Sequence, residues 1–462
     1  MNNSKKNLFS MSLEELDNSI KNNQLVVTVI GIGRIGLPTA LCFAKSGFLT
    51  IGVDINTKLV DSINSGEYTL KDEPGFDKIF EDVIKQDRFY ATTDISDAVT
   101  KSDIILLSLP TPMDNANIPD YSALLSVGKN LNSLLSNGKL VIVESTVEPG
   151  FVEKDFLEII QGKDEKIKLG KDFSLGVCPE TANPGQILDD FERLPRLVGA
   201  MDERTKHLIT KIYKHVFTVN LISMPDCKTA NAVKLTTNVF RDLNIAFINE
   251  LALIFEKAGI DIMTVLDAAK TKYNFQVHYP SVGVGGPCLP VNSYQMINFA
   301  KNFTSKTFRL VEYGREINEA MPFHTIELLE DALNEINKNL EESTILVLGV
   351  SYKPDVKDIQ LSPVEKIVNI LKDKGVNILI YDPYFRNSEV FGIKTLDDFV
   401  QNLETCDGLI IATAHKDFYD IQPKFLKSKM KNPIVIDSKN IIDQHLAKSV
   451  GLIYRGIGRG KL

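Results

Sequence analysis

Over residues 225–259 (PDCKTANAVKLTTNVFRDLNIAFINELALIFEKAG) apolar side chains recur in almost every direction around a helix rather than along one stripe. The pattern predicts one long central helix, with Asp226 as its N-cap and Gly259 as its stop, spanning roughly 50 Å at 1.5 Å per residue. A helix apolar on most sides is buried between domains, subunits or both. Within that field Asn231, Lys234, Asn238 and Arg241 follow one another at spacings of 3, 4 and 3, which puts them on one face. On an ordinary helix such a stripe is solvated, because Lys and Arg are rarely buried. Here the rest of the chain supplies something for the stripe to face.

Residues 25–30 (LVVTVI) form an apolar run of strand length. It leads at once into Gly31-Ile32-Gly33-Arg34-Ile35-Gly36 and a helix-like LPTALCFAKSG, and the next strand, LTIGVD, ends at Asp54. Strand, glycine turn, helix, strand and acid in that order make the dinucleotide fingerprint. Gly31 permits the tight turn, Gly33 lets the backbone reach a pyrophosphate, and Gly36 lets helix and strand pack closely with the helix N-terminus aimed at the phosphates. Asp54 accepts from ribose hydroxyls and repels a 2′-phosphate, which selects NAD over NADP.

Further strands end in groups suited to a ligand. Residues 104–109 run into Pro110-Thr111-Pro112, 140–143 into Glu144-Ser145-Thr146, and 173–177 into Cys178-Pro179-Glu180. A single Thr or Glu there is an ordinary loop start. Three in succession make a set, and in a doubly wound sheet ligands sit outside the carboxyl ends of the strands, so Thr111, Thr146 and Glu180 are expected to converge. Beyond the central helix, residues 281–292 (SVGVGGPCLPVN) put Gly283, Gly285 and Gly286 ahead of Cys288 and Asn292. Such a backbone can approach a ligand closely. A cysteine among apolar residues is usually an inert small hydrophobe; on this loop, in a chain with a dinucleotide site, Cys288 reads as a candidate nucleophile.

From about residue 341 a second α/β unit begins, in which STILVLGVSYKP, GVNILIYDP, CDGLIIATAH and NPIVIDSKN read as parallel strands with helices between. It has no second GxGxxG, so Gly349 opens no second dinucleotide site, and its first strand ends at Lys353-Pro354-Asp355 with Asp358 nearby. The expected fold class is α/β, with two Rossmann-like doubly wound parallel-sheet domains joined by the long central helix and a helical middle domain. The expected domains are an N-terminal extension (1–24), an NAD-binding Rossmann domain (25–222), a central helical domain with the cysteine loop (223–338) and a C-terminal α/β domain (339–462).

Composition narrows the classes. A chain of 462 residues exceeds one ordinary core and suggests about three domains. Its formal net charge of −8 gives no general attraction for nucleic acid or an anionic membrane, so an anionic ligand needs local positive charge, which Lys234 and Arg241 could supply. No run approaches the roughly 20 apolar residues of a membrane helix. The first 25 residues lack a signal-peptide core and read as a short amphipathic helix with Ser12 and Glu15 as a capping box. Five cysteines, odd in number and without metal spacing, indicate a reduced cytoplasmic protein with neither structural disulfides nor zinc.

With these residues assembled, the chain resembles the UDP-glucose/GDP-mannose dehydrogenase family, the nucleotide-sugar 6-dehydrogenases, over nearly its whole length. VESTVEPG, VCPE, NAVKLTTN, GVGG-x-C-LPV and LGVSYKPDVKDIQLSP all look like that family's signatures. The GVGG loop and FRDLNIAFINE look closer to the branch that oxidises UDP-N-acetylhexosamines. The resemblance implies oxidation of C6 twice, alcohol to aldehyde to carboxylate, with two NAD reduced, in service of surface polysaccharide synthesis. It makes Cys288 the nucleophile that captures the aldehyde and Lys234 the oxyanion partner, with Glu180 and Thr146 handling protons and Asn292 beside the hydrolytic step. Substrate contacts would come from Asn238, Arg241, Gly285, Gly286 and Lys353, and the cofactor would take residues 31–36, Asp54, Thr111 and Thr146. A UDP-sugar-binding C-terminal domain and a homodimer through the central helix follow from the same resemblance.

The sequence also departs from that pattern. Pro287 stands where His or Ser is usual, Asn292 where an Asp is thought to assist hydrolysis, and Gln360 where an Arg precedes the serine-proline pair. An Arg often lent to the neighbouring subunit has no clear equivalent; Gln276 occupies that region. Two other readings therefore stand beside the first. One is a single-step β-hydroxyacid dehydrogenase, whose family also carries Lys-x-x-x-Asn on a helix after a dinucleotide domain. The other is a nucleotide-sugar-binding homologue that has lost full activity. NADH formed per sugar separates the three: two, one or none.

Overall fold

A computed structural model describes residues 7–136, 138–162, 166–304 and 308–459. The chain divides into two compact units, residues 1–237 with 294–299, and residues 238–293 with 300–462.

The first unit is built on eight strands: β1 (Val26–Ile30), β2 (Leu49–Val53), β3 (Phe89–Thr92), β4 (Ile104–Leu107), β5 (Lys139–Val143), β6 (Phe173–Val177), β7 (Arg196–Ala200) and β8 (Leu221–Ser223). They lie in the order β3-β2-β1-β4-β5-β6-β7-β8, all neighbours parallel except the β6–β7 pair. Strands buried on both faces need continuous apolar runs, and β4 and β5 are buried at every position. One face packs Phe43, Phe48, Phe76 and Phe80, the other Tyr121, Phe151 and Phe156. The order reverses between β1 and β4, the switch point at which such sheets bind ligands.

The N-terminal segment forms a helix, Leu13–Lys21, with the Ser12–Glu15 capping box in place. Leu16 and Ile20 join the first core, Arg204 donates to the Met11 carbonyl at 2.9 Å, and Lys211 pairs with Asp17. The first six residues of that segment lie outside the described residues.

The second unit carries a five-stranded parallel sheet of β9 (Thr344–Leu348), β10 (Asn377–Tyr381), β13 (Gly408–Ile411), β14 (Ile434–Asp437) and β15 (Ile453–Gly456), ordered β10-β9-β13-β14-β15. A two-residue hairpin, β11 (Glu389–Val390) with β12 (Ile393–Lys394), follows β10. Gly349, at φ +84°, makes the turn after β9, and a side chain there would meet Thr413.

The central helix runs from Cys227 to Ala258. Asp226 caps it by accepting from the Thr229 amide at 2.7 Å, and the Thr229 hydroxyl, with that amide, holds its carboxyl below the usual range. Gly259, at φ +70°, ends it, and the Ile260 amide reaches back to the Phe255 carbonyl. Both ends are thus set by local chemistry. Among the described residues no helix is long and apolar enough to cross a membrane.

Candidate active site

In the first unit the glycine turn has the shape a pyrophosphate requires. Gly31 sits at φ +87°, and a Cβ on Gly36 would lie 1.8 Å from the Gly31 carbonyl oxygen, so the helix Gly36–Lys45 can start there only on glycine. A Cβ on Gly33 would meet nothing within 4 Å, which leaves that side open to a ligand. Asp54 accepts from the Ile32 amide at 3.1 Å and from the Asn56 amide at 2.9 Å, so the acid is fixed at the end of β2 beside the turn. These residues fit NAD. Arg34 is turned to protein: its guanidinium pairs with Asp72 at 2.8 Å and Glu73 at 2.9 Å, and Ile35 precedes the helix. NAD is expected to be used in preference to NADP, as measured by kcat/KM for the two cofactors; equal efficiency would remove Asp54 from the ribose role.

Along the carboxyl edge of the same sheet, the Thr111 hydroxyl donates to the Thr146 carbonyl at 2.9 Å, and Gln295 donates to the same oxygen at 3.2 Å. Glu180 follows β6, next to β5. Its carboxylate is already engaged: one oxygen accepts from the Thr181 and Ala182 amides at 2.6 and 2.8 Å, and the other lies 2.7 Å from Arg196. Arg196 is 2% exposed, its guanidinium lying 3.8 Å from the centre of the Phe217 ring and 4.5 Å from that of Phe191. Sequence reasoning gave Glu180 a proton-handling role and missed Arg196, whose partners Glu180, Phe191 and Phe217 lie on other elements brought together by the fold.

Glu144, 2% exposed, accepts from the Tyr213 hydroxyl at 2.5 Å. Burial pushes its carboxyl up to about 7, with Arg196 opposing. An unfolded glutamate titrates near 4.3. The folded protein therefore holds a proton that the unfolded chain releases, and stability from this group, complete below about pH 4, is lost as pH rises through about 7. Glu144→Gln is expected to flatten the fall of the thermal midpoint between about pH 5 and 8. Parallel curves for the two proteins would show that Glu144 does not titrate in that window.

The polar stripe of the central helix is not solvated at its N-terminal end. Lys234 is 7% exposed and Asn231 fully buried, whereas Asn238 is half-buried and Arg241 exposed. Neither polar side-chain atom of Asn231 has a hydrogen-bond partner among the described residues.

In the second unit Cys288 directly precedes the helix Leu289–Lys301, where unpaired backbone amides favour negative charge. It is the exposed one of the five cysteines. Burial pushes the thiols of Cys42 and Cys406 up to about 12 and 11, and those of Cys178 and Cys227 up as well, so none of these four competes as a thiolate. Asn292, 3% exposed, donates its amide to the Cys288 carbonyl at 2.9 Å and accepts from the Asn238 side chain at 2.5 Å.

The loop glycines serve the protein's own packing. A Cβ on Gly286 would lie 2.6 Å from the Tyr352 ring and one on Gly285 2.4 Å from the Leu361 carbonyl oxygen, so the space their missing side chains leave is filled by protein. The Gly286 amide also donates to the Gln360 carbonyl at 3.0 Å. Tyr352 directly precedes Lys353, which is half-buried, and Gln360 lies seven residues beyond it. That segment is held by buried His415: the Asp355 amide donates to Nδ1 at 3.0 Å, which leaves Nε2 to donate to Asp382 at 3.0 Å. Burial raises the Asp382 carboxyl, but His415 and the Val350 and Tyr384 amides outweigh it and hold it below its usual value. Among the described residues no group of three His, Cys, Asp or Glu side chains could hold a metal.

Three family models match the chain: the NAD binding domain of the UDP-glucose/GDP-mannose dehydrogenase family over residues 25–217, its central domain over 228–320 and its UDP binding domain over 346–444. A UDP-N-acetyl-D-mannosamine dehydrogenase from Pyrococcus horikoshii is 35% identical over 436 residues, covering 94% of this chain and 99% of that one. A solved structure of UDP-D-ManNAc dehydrogenase from P. horikoshii superposes with a TM-score of 0.87 at 32% identity, covering 95% of this chain and all of that one. An NDP-N-acetyl-D-galactosaminuronic acid dehydrogenase from Methanosarcina mazei superposes with a TM-score of 0.81 at 28% identity, covering 97% and 98%.

Proposed function

The chain belongs to the UDP-glucose/GDP-mannose dehydrogenase family and is an NAD-dependent nucleotide-sugar dehydrogenase, and from that premise we propose that it oxidises a UDP-N-acetylhexosamine twice at C6, to the uronate, through Cys288. The observation that carries the reading is the Cys288 thiol: exposed where the other four are buried, at the head of a helix, on a loop packed against the Lys353 segment. The match of residues 346–444 to a UDP binding domain sets aside the β-hydroxyacid reading. UDP-N-acetyl-D-mannosamine is the first substrate to try, since the Pyrococcus relative is named for it; the Methanosarcina neighbour's name makes the N-acetylgalactosamine stereoisomer the second.

Residues 31–36 and Asp54 would hold NAD, which when bound would supply the hydride acceptor for each oxidation. After the first, the Cys288 sulfur adds to the C6 aldehyde, its proton passing to the new hemiacetal oxygen, and converts a reactive carbonyl into a bound hydride donor. Loss of hydride and the hydroxyl proton gives the thioester, which water cleaves to carboxylate and thiol. Lys234 stabilises the developing C6 oxyanion, Asn238 and Arg241 hold the sugar, and Lys353 serves its nucleotide end. With both Glu180 oxygens engaged, proton handling by Glu180 and Thr146 runs through water.

Val233, Phe240, Phe247 and Ile254 are each at least 36% exposed and recur every seven residues along the central helix. A heptad stripe of this kind over about 30 Å supports a homodimer through that helix. The cytoplasm, where a free thiol stays reduced, is the compartment this chemistry fits.

The reading is tested by NAD reduction with a panel of UDP-, GDP- and CDP-sugars: two NADH per UDP-N-acetylhexosamine are expected, and one or none would overturn it. Lys234→Ala is expected to lose on the order of 10²-fold in kcat, the scale of removing a preorganised oxyanion donor. An unchanged kcat with a weakened dimer would make Lys234 structural.

A further inference from the structure

Both ends of the cysteine loop are tied to the central helix through one buried polar chain. Asp242, 1% exposed and one turn beyond Asn238, accepts from the Ser293 hydroxyl at 2.7 Å with one oxygen. Its other oxygen accepts from Arg315 at 3.0 Å and Asn318 at 2.8 Å. Asn318 in turn accepts from the Asn249 amide at 2.9 Å, and Asn249 accepts from the Ser281 backbone amide at 2.9 Å. Ser281 and Ser293 bracket the loop that carries Cys288. Asn238, Asp242 and Asn249 lie on one face of the helix, and they hold Asn292, Ser293 and Ser281 in turn.

Burying an Arg–Asp pair is a poor route to stability, because apolar residues of similar volume do as well or better. What a buried hydrogen-bonded network of this kind supplies is a preferred arrangement of the groups it joins. We infer that Asp242, with Asn318, Asn249 and the serines it reaches, is a positioning device that fixes the Cys288 sulfur for attack on C6. Asp242 touches no reacting atom; it acts through the loop ends. The inference rests on Cys288 being the nucleophile, and it also makes a claim about the thiol that needs no turnover.

The test uses the full chain carrying Ser293→Ala, Ser293→Thr or Asp242→Asn. Three quantities are read: the thermal midpoint, the rate at which iodoacetamide alkylates Cys288, and kcat and KM. Ser293→Ala removes one hydroxyl from the chain of bonds and leaves the Arg315 pair intact, so it remains informative if Asp242→Asn does not fold. It is expected to keep a thermal midpoint near the parent's, to change the alkylation rate several-fold, and to lower kcat by about tenfold or more at an unchanged KM for NAD, since the same sulfur must be placed for attack and, as the thioester, for hydrolysis. Ser293→Thr, which restores a hydroxyl, is expected to recover most of the kcat. Alkylation and kcat both within twofold of the parent would overturn the inference, as would a kcat loss matched by the fraction unfolded. Full activity in a Cys288→Ser protein would sink the covalent reading instead, and the alkylation rates would still report on the loop.

Discussion

Cys288→Ser is expected to abolish two-step turnover, with a loss on the order of 10⁴-fold or more, the scale felt when the nucleophile of a covalent mechanism is removed. A serine hydroxyl is a far weaker nucleophile than a thiolate near neutrality, and nothing in the loop is built to act as its base. The substitution is nearly isosteric at an exposed position, so the fold should be untouched. Addition of sulfur is not required for the first oxidation, which can survive. The expected signature is one NADH per sugar and an aldehyde that hydroxylamine traps. Two NADH per sugar at near the parent rate would show that the aldehyde is oxidised as its hydrate, without Cys288. The four buried cysteines, with their thiols pushed up by burial, are not substitutes.

How much of this was legible in the sequence depended on whether the deciding partner was local. Asp226 and Gly259 bound the central helix because a cap and a stop act within one turn, and the dinucleotide turn was readable because each glycine answers to its neighbours. The strand Phe89–Thr92 was not, since RFYAT alternates buried and half-buried positions in a polar setting. Neither was Arg196–Ala200, which opens on an arginine whose burial depends on Phe191, Phe217 and Glu180. The loop glycines were legible as a place of close approach, but the approaching group is Tyr352 and the Leu361 carbonyl, brought there by the fold. Nothing near Asp242 in the sequence marks its role, because its guanidinium partner lies 73 residues on.

Asn292→Asp is expected to speed the slow step of the natural protein by about 10²-fold or more, within the 10² to 10⁴ that general base assistance to water contributes. A carboxamide can hold a water but cannot take its proton, so the thioester on Cys288 should wait for hydrolysis. The geometry favours the exchange. In the parent, Asn292 accepts from the Asn238 amide at 2.5 Å, and a carboxylate oxygen can take over that bond without moving. The position is 3% exposed, so burial would raise the new carboxyl while the Asn238 donor favours its charged form. A value lifted toward neutrality is what a general base needs. Rapid mixing with the true substrate should give a burst of at most two NADH per active site, then slow turnover, with an acyl adduct on Cys288 seen by mass spectrometry of the quenched enzyme. The Asp variant should keep the burst, quicken the slow phase and lose the adduct. Burst-free kinetics at two NADH per sugar, no adduct and no gain in the variant would mean that water is already activated without Asn292, through Glu180 or a group not yet assigned, and that the departure at this position costs the enzyme nothing.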